Sequence, residues 1–211
     1  MMTLTNLLAL ADSRLPTGGH VHSGGAEEAV ASGLVVDLAT LRAYLRRRIR
    51  AHGLVTASLA AAVHAGTMSV GEADRETDAR TPSPAARRAS RAQGRGLIRL
   101  ARRVWAGEDW APLGATPHLA VAAGAVGRAA KLTVEQTALS VVYTTMTGSA
   151  TAAQRLLALD PGDVAALTFE LASECDQVAA AAVKEPAELS DPLLDVLAQR
   201  HSERERPLFV S

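Results

Sequence analysis

The sequence has few aromatic residues, a single cysteine and no net charge, and each scarcity excludes a class of protein. Aromatic residues make up 3% of the 211 residues, and a chain without aromatic or β-branched runs disfavours a sheet. Cys175 cannot form an internal disulfide, and it has no C-x-x-C or C-x-x-H neighbour of the kind that binds zinc. The 22 basic and 22 acidic residues cancel, whereas a general nucleic-acid binder is normally strongly basic.

The distribution of apolar residues indicates the cellular location that we expect. No basic region precedes the first apolar residues, so a signal peptide is not predicted. The apolar runs are short and are interrupted by arginine or polar residues, so no membrane span is predicted. We therefore expect a reduced, cytoplasmic protein with no membrane partner.

Abundant alanine and leucine between clear helix breakers predict a single all-α domain over residues 1–211. We expect a bundle of about seven to nine helices with a flexible C-terminal tail at 201–211. The charged segment 71–84 is expected to be a surface loop or a short exposed helix. Caps and apolar spacing predict helices at 5–11, 25–32, 38–52, 84–106, 118–132, 134–159, 163–186 and 192–200. The helix at 38–52 is expected to break or kink at Gly53 and to continue through 54–64. Asp163 is the predicted cap of the helix at 163–186.

The opening segment 10–28, "LADSRLPTGGHVHSGGAEE", could be a metal site, a phosphate-binding loop or a shaped turn. The phosphate-loop pattern G-x-x-x-x-G-K-[ST] is absent, and no strand precedes the glycines. Paired glycines and Pro16 suit a compact, rigid turn. His20 and His22 supply two metal ligands at most, and a third would have to come from elsewhere in the chain. A metal-dependent enzyme that uses His20 and His22 on an α-bundle stays open as an alternative.

The predicted helix 84–106 carries a second feature, a stripe of arginines on one face. Three- and four-residue spacing aligns the side chains of Arg88, Arg91, Arg95, Arg99 and Arg102. The stripe could be a solvated face, a surface for an acidic protein or the contact of a helical nucleic-acid regulator.

Glycines inside the same predicted helix suggest close packing. Gly94 and Gly96 interrupt a helix in which glycine costs about 1 kcal/mol relative to alanine. We expect another backbone to approach closely at this point, with Ser90 and Gly94 in a core or dimer contact.

Signatures of catalysis are missing from the sequence. It contains neither a G-x-S-x-G elbow nor an H-E-x-x-H motif. Cys175 lies on an apolar stripe between Glu174 and Asp176, and both burial and neighbouring carboxylates raise the pKa of a thiol. We therefore expect a protein that acts by binding, with no catalytic, cofactor-binding or metal-ligating residues of its own, while the metal-dependent alternative at His20 and His22 stays open.

Four motifs, in order along the chain, resemble the UreF-type urease accessory proteins. The opening segment is similar to the pattern L-x-x-x-D-S-x-x-P-x-G-G-[F]-x-x-S-x-G-[L]-E. "RRASRAQGRGLIRLA", "PHLAVAAGAVGRAA" and the tail "DPLLDVLAQRHSERERPLFVS" resemble three further segments of that family. The chain departs from the pattern at His20, where an aromatic residue is usual, at Ala26, where leucine is frequent, and at Pro207, where arginine is usual.

The resemblance implies an all-α, usually dimeric protein without catalytic activity. Members of the family bridge a UreD/UreH-type scaffold and a nickel-carrying UreG-type GTPase, and the assembly delivers nickel to urease apoprotein. Nickel and GTP would then be handled by the complex, with modulation of the GTPase cycle as a further expectation. The opening segment and the tail would bind the scaffold, and the arginine stripe would face an acidic partner such as the GTPase. The partner-binding residues that we expect are Asp12, Ser13, Pro16, Gly18, Gly19, Ser23, Gly25, Glu27, Arg95, Arg99, His201, Glu203, Arg206, Leu208, Phe209 and Ser211.

Overall fold

Helices begin where the sequence places capping side chains. The computed structural model describes residues 4–188 and 191–211 of the domain predicted over 1–211. Asp37, Ser69 and Thr133 each form a capping box. The capping side chain accepts a hydrogen bond from the backbone N–H three residues later, and the side chain of that later residue accepts one from the backbone N–H of the capping residue. Ser83 and Asp191 cap helices that have proline at their first position. The caps are local features, and this is why the sequence locates the helix starts well.

The described residues form eleven α-helices and no strand, which confirms the all-α prediction. They are α1 (Leu4–Ala11), α2 (Ala26–Ala31), α3 (Leu38–Arg48), α4 (Leu54–Ala65), α5 (Val70–Ala79), α6 (Pro84–Val104), α7 (Leu119–Ala129), α8 (Val134–Leu157), α9 (Pro161–Glu170), α10 (Ala172–Ala182) and α11 (Pro192–His201). Short 3-10 turns lie at Gly19–Val21 and Ala111–Leu113. Among these described elements, no helix is both long and apolar enough to cross a membrane.

The helix count exceeds the seven to nine expected for two local reasons. The charged segment 71–84 contains α5, which buries Ala73 and Thr77 against its neighbours. The helix predicted at 163–186 is divided at Leu171 into α9 and α10. Its cap is Asp160 and not Asp163, because the Asp160 carboxylate accepts hydrogen bonds from the backbone N–H groups of Gly162 and Asp163.

A π-helical turn, Ile49–Gly53, joins α3 to α4. The sequence predicts a break or kink at Gly53, and the wider turn is its structural form. The helical course continues through this turn, so that one long element passes through the centre of the molecule.

The apolar core consists of two large clusters of buried side chains. The first lies among α2, α3 and α8–α11 and includes Leu41, Leu45 and Met146. The second lies among α5, α6 and α7 and includes Leu97 and Trp110. Ala123 packs against both clusters. Because α7 and α8 contact α4 from two sides, the clusters meet around α4.

Cys175 lies in the first cluster, where its Sγ is 3.7 Å from the sulfur of Met146. Burial, followed by the charges of Asp176 and Glu174, raises the pKa of this thiol to about 11. The thiol is therefore protonated at neutral pH, as the sequence predicts for a packing residue.

Candidate partner-binding surface

The opening segment forms a tight turn after α1, built from a carboxylate and left-handed glycines. The Asp12 carboxylate accepts hydrogen bonds from the backbone N–H and the guanidinium of Arg14, at 2.8 Å and 2.6 Å. The side-chain and backbone hydrogen bonds from Arg14 lower the pKa of Asp12 to about 2. Gly18 has a φ of 84°, a conformation that favours glycine. Ser13 and Pro16 are exposed on this turn, and Gly19 begins the 3-10 turn that follows it.

This turn rests on α6 at a glycine. A Cβ added to Gly96 would overlap the carbonyl oxygen of Thr17 and lie 2.9 Å from its carbonyl carbon. Gly94, two residues earlier, meets the backbone of Pro117 and His118 in the same way. Ser90 accepts a hydrogen bond from the backbone N–H of Leu119 at 3.1 Å. The structure thus places Gly94 and Ser90 in contacts within the chain, at the start of α7.

Glu27 joins the N-terminal part of the chain to its C-terminal end. Its side chain is 4% exposed and accepts hydrogen bonds from the backbone N–H groups of Leu208 and Phe209 at 2.8 Å and 3.0 Å. His201 Nε2 donates to the same carboxylate at 2.8 Å. Burial by itself would raise the pKa of Glu27, but the hydrogen bonds from Leu208, His201 and Phe209 outweigh burial and lower it. The carboxylate is therefore ionised and holds the C-terminal segment in place.

Residues 208–211 extend this junction by pairing with residues 21–23. The Val210 N–H donates to the Val21 carbonyl at 2.7 Å, and the Ser23 N–H donates to the Ser211 carbonyl at 2.5 Å. The Ser211 hydroxyl lies 2.6 Å from His22 Nδ1. The tail 201–211, for which the sequence suggests flexibility, is thus tied down by long-range hydrogen bonds that sequence spacing cannot reveal. We call residues 21–28 and 201–211 the terminal junction.

Side chains of the terminal junction alternate between the interior and the surface. Phe209 is buried, with the Arg155 guanidinium 5.5 Å from its ring centroid. On either side of it, Leu208 and Val210 are 80% and 71% exposed. Large apolar side chains held outward by a fixed backbone are a typical protein-docking feature. Glu203 and Arg206 are exposed beside them.

The junction brings together predicted residues from both ends of the chain. Ser23 and Gly25 directly precede α2, and Gly25, with a φ of 86°, lies too close to the Tyr44 hydroxyl to accommodate a side chain easily. Sequence reasoning missed Arg204, which pairs with Glu28 at 3.0 Å, and the contact of His22 with Ser211. Only the charge of Arg204 between two glutamates hints at such a role.

The arginine stripe on α6 is shorter than the sequence predicts. Arg91 turns toward α5, where its guanidinium pairs with Asp74 at 2.9 Å and with Asp78 at 2.8 Å. Four arginines remain exposed without an ion-pair partner in the part of the chain that the structure describes. We call this set the α6 arginine surface, and its members are Arg88, Arg95, Arg99 and Arg102.

A buried histidine completes the contact between α5, α6 and α7. His118 is fully buried, with Nε2 2.9 Å from an Asp78 carboxylate oxygen and Nδ1 3.0 Å from the Ser90 hydroxyl. Asp74, Asp78 and His118 are the one group of three possible metal ligands found in residues 4–188 and 191–211. Both ring nitrogens of His118 already have hydrogen-bond partners, and Arg91 balances the charge of Asp74 and Asp78. This cluster therefore connects the three helices by hydrogen bonds and ion pairs. His20 and His22 belong to no such group within those residues.

Histidines that stay neutral in the folded chain should make it less stable in mild acid. Burial and the charge of Arg48 lower the pKa of His52 to about 3, and burial also lowers the pKa of His118. The unfolded chain binds protons near pH 6.5 while the folded chain does not, so the free energy of unfolding falls as pH decreases below that value. For His52, whose folded pKa lies far below this range, the loss should be about 1.4 kcal/mol at one pH unit below the unfolded pKa.

Urea denaturation at about pH 7.5 and about pH 5.5 measures this loss. We expect His52→Gln to reduce the difference in unfolding free energy between the two pH values. His20→Gln, at an exposed position, is the control and should leave the difference unchanged. An equal pH dependence in wild type and His52→Gln would contradict the assignment.

The fold and the junction define a class: an all-α protein with exposed charged and apolar surfaces. Comparison with known sequences specifies the class. The family model named UreF matches residues 35–172. Proteins named urease accessory protein UreF from Mycobacterium sp. (strain JLS) and Mycolicibacterium vanbaalenii are 80% and 77% identical to this chain. One from Mycobacterium tuberculosis is 66% identical, and in all three the alignment covers the whole of both chains.

The chain belongs to the UreF family of urease accessory proteins. This confirms the family that the four motifs predict. The family consists of non-catalytic chaperones, so the prediction that the protein is not an enzyme is also confirmed. The same family membership argues against a metal-dependent enzyme built on His20 and His22.

Proposed function

We propose that this chain is an adaptor in urease maturation, which links a UreD/UreH-type scaffold to a UreG-type GTPase so that nickel is inserted into urease apoprotein. Nickel is the cargo of the assembly, and nickel and GTP are held by its other components. The adaptor acts in the cytoplasm, where urease is assembled. Its membership in the family of urease accessory proteins supports this role, and the terminal junction is the observation that carries it.

The terminal junction is the proposed docking site for the scaffold. Leu208 and Val210 project from a backbone that Glu27 and residues 21–23 hold rigid. A rigid apolar pair loses little conformational entropy when a partner covers it, and this favours tight binding. Glu203 and Arg206, both exposed, provide charged groups at its rim.

The α6 arginine surface is the proposed contact for the GTPase. Exposed guanidinium groups without carboxylate partners inside the described chain are available to an acidic surface on another protein. Through this contact the adaptor would modulate the GTPase cycle. A homodimer of the adaptor would place two copies of each surface in one assembly, and sedimentation equilibrium of the purified chain measures that state.

Deleting the gene tests the function as a whole. We expect urease activity and urease nickel content to fall together, since unmodified apoprotein accumulates without the adaptor. Re-expression of the wild-type chain should restore both. Full activity and full nickel content in the deletion strain would refute the proposed function.

Charge reversal tests the arginine surface. The double variant Arg95→Glu and Arg99→Glu should bind the UreG-type GTPase at least tenfold more weakly in a pull-down, because two attractive contacts become repulsive. Arg75→Glu, an exposed arginine on α5, is the matched control and should bind like wild type. Unchanged binding of the double variant would exclude this surface as the GTPase contact.

Substitution of the exposed apolar pair tests the scaffold contact separately. Leu208→Asp with Val210→Asp should abolish co-purification with the UreD/UreH-type partner. Phe169→Asp changes a side chain on α9 that is 82% exposed, close to the 80% of Leu208, and should retain the partner. Equal retention by both variants would show that the scaffold binds elsewhere.

A further inference from the structure

Arg48 is a buried arginine that lacks an ion-pair partner in the described part of the chain. Its side chain is 7% exposed, and its Nη1 donates to the Gly24 carbonyl at 2.5 Å. Its Nε–H group is buried and has no hydrogen-bond partner. A buried charge without a counterion is strongly unfavourable, and an unpaired buried donor adds to that cost.

The neighbouring arginines show what Arg48 is missing. Arg46 and Arg50 pair with Glu174, and Arg47 pairs with Asp191. These three side chains lie at least 46% exposed, where an ion pair matters little. Arg48 is more deeply buried than these three arginines, yet it has no carboxylate partner among the described residues.

Arg48 lines two cavities of about 280 Å³ and 110 Å³, both of which open to the surface. Gly24, Arg48, His52 and Gln93 line both of them. Each volume exceeds that of a single water molecule, so either cavity accommodates a small polar molecule beside the guanidinium.

The polar groups around Arg48 favour an anion over a cation. His52 lies on the π-helical turn that directly follows Arg48, and such turns are frequent at binding sites. Its ring Nε2 is 3.5 Å from the Thr56 hydroxyl. The Gln93 amide makes no hydrogen bond within residues 4–188 and 191–211 and can donate to a bound oxygen.

The acidic residues that line the cavities are already engaged elsewhere. Asp12 pairs with Arg14 and Asp191 pairs with Arg47. Asp195 accepts a hydrogen bond from the Ser83 backbone N–H at 3.0 Å. None of these side-chain carboxylates forms an ion pair with Arg48, so its guanidinium keeps its charge without a counterion among the described residues.

We propose that Arg48, assisted by His52 and Gln93, binds a small oxyanion in this cavity. A guanidinium presents neighbouring N–H groups in a planar fork that matches two oxygens of a carboxylate or a phosphate. The anion supplies the counterion that the buried guanidinium lacks. Arg48 and Tyr44 both donate a hydrogen bond to the Gly24 carbonyl, so an anion on Arg48 also helps to fix the terminal junction, to which Gly24 belongs.

Thermal unfolding of the full chain tests this site with inorganic phosphate and with acetate, each against sodium chloride at equal ionic strength. We expect a saturable rise in Tm with at least one of the two anions, because a ligand that binds the folded state alone stabilises it. Arg48→Lys should weaken the apparent affinity at least tenfold, since lysine lacks the planar fork. Arg50→Gln, at an exposed arginine two residues away, is the control and should keep the full rise.

Gln93→Leu keeps the test decisive if Arg48 variants do not fold. This variant retains the buried arginine and should weaken the anion-dependent rise about fivefold. Anomalous scattering from a crystal soaked in selenate should place a peak within hydrogen-bonding distance of Arg48. No saturable rise with either anion would mean that water alone fills the cavity and would overturn the proposal. A rise with phosphate but no selenate peak at Arg48 would also overturn it, because the anion would then bind elsewhere.

Discussion

Replacing Glu27 with alanine is expected to release the C-terminal tail and to destabilise the fold by about 3 kcal/mol. The carboxylate is buried and accepts hydrogen bonds from Leu208, Phe209 and His201. Its removal leaves three donors without an acceptor in a site that water reaches poorly. Urea denaturation measures the loss, and hydrogen exchange at the Leu208 and Phe209 amides reports the release directly.

Two further variants separate the role of this carboxylate from general effects of charge. Glu203→Ala removes an exposed glutamate from the same tail and should change stability by less than about 0.5 kcal/mol. Glu27→Gln keeps the shape of the side chain and one oxygen acceptor, so its effect should lie between the other two. If the tail amides of Glu27→Ala remain as protected as in wild type, Glu27 does not hold the tail.

Gly94→Ala is the second substitution with a large expected effect. The added methyl group would overlap the Pro117 carbonyl oxygen and lie 2.8 Å from the carbonyl carbon of His118. Both are backbone atoms, so α6 would have to move away from the start of α7. We expect a loss of about 3 kcal/mol in the free energy of unfolding, at the upper end of typical overpacking costs.

Gly148→Ala is the matched control for this substitution. Gly148 also lies within a helix, α8, but no atom lies within 4 Å of the position that its Cβ would occupy. Alanine should therefore stabilise this helix by about 0.5–1 kcal/mol. Similar stability changes in both variants would show that the close approach at Gly94 is absent in solution. Thermal unfolding followed by circular dichroism measures both changes, with a lower Tm expected for Gly94→Ala and a higher Tm for Gly148→Ala.

The sequence predicts the two segments that form the candidate site but not the contact between them. The opening segment and the tail stand out as motifs, and the structure shows that Glu27 joins them. Glu27 and Leu208 are 181 residues apart along the chain. No local spacing rule covers such a separation, so the pairing had to be seen in three dimensions.

Arg91 shows how a correct local pattern can lead to a wrong assignment. Its spacing places it on the same helix face as Arg88 and Arg95. The folding of α5 onto α6 then pairs it with Asp74 and Asp78, while its neighbours stay exposed. Helical periodicity determines the direction of a side chain, but the neighbouring element determines its environment.

The sequence by itself determined the all-α class, the family and the starts of the helices capped by Asp37, Ser83 and Thr133, because caps, breakers and motifs act over a few residues. Only the tertiary structure decided the terminal junction, the inward turn of Arg91 and the burial of Arg48. Each depends on which distant elements pack together. Packing is set by the whole apolar core, and its long-range contacts leave no periodic signal in the sequence.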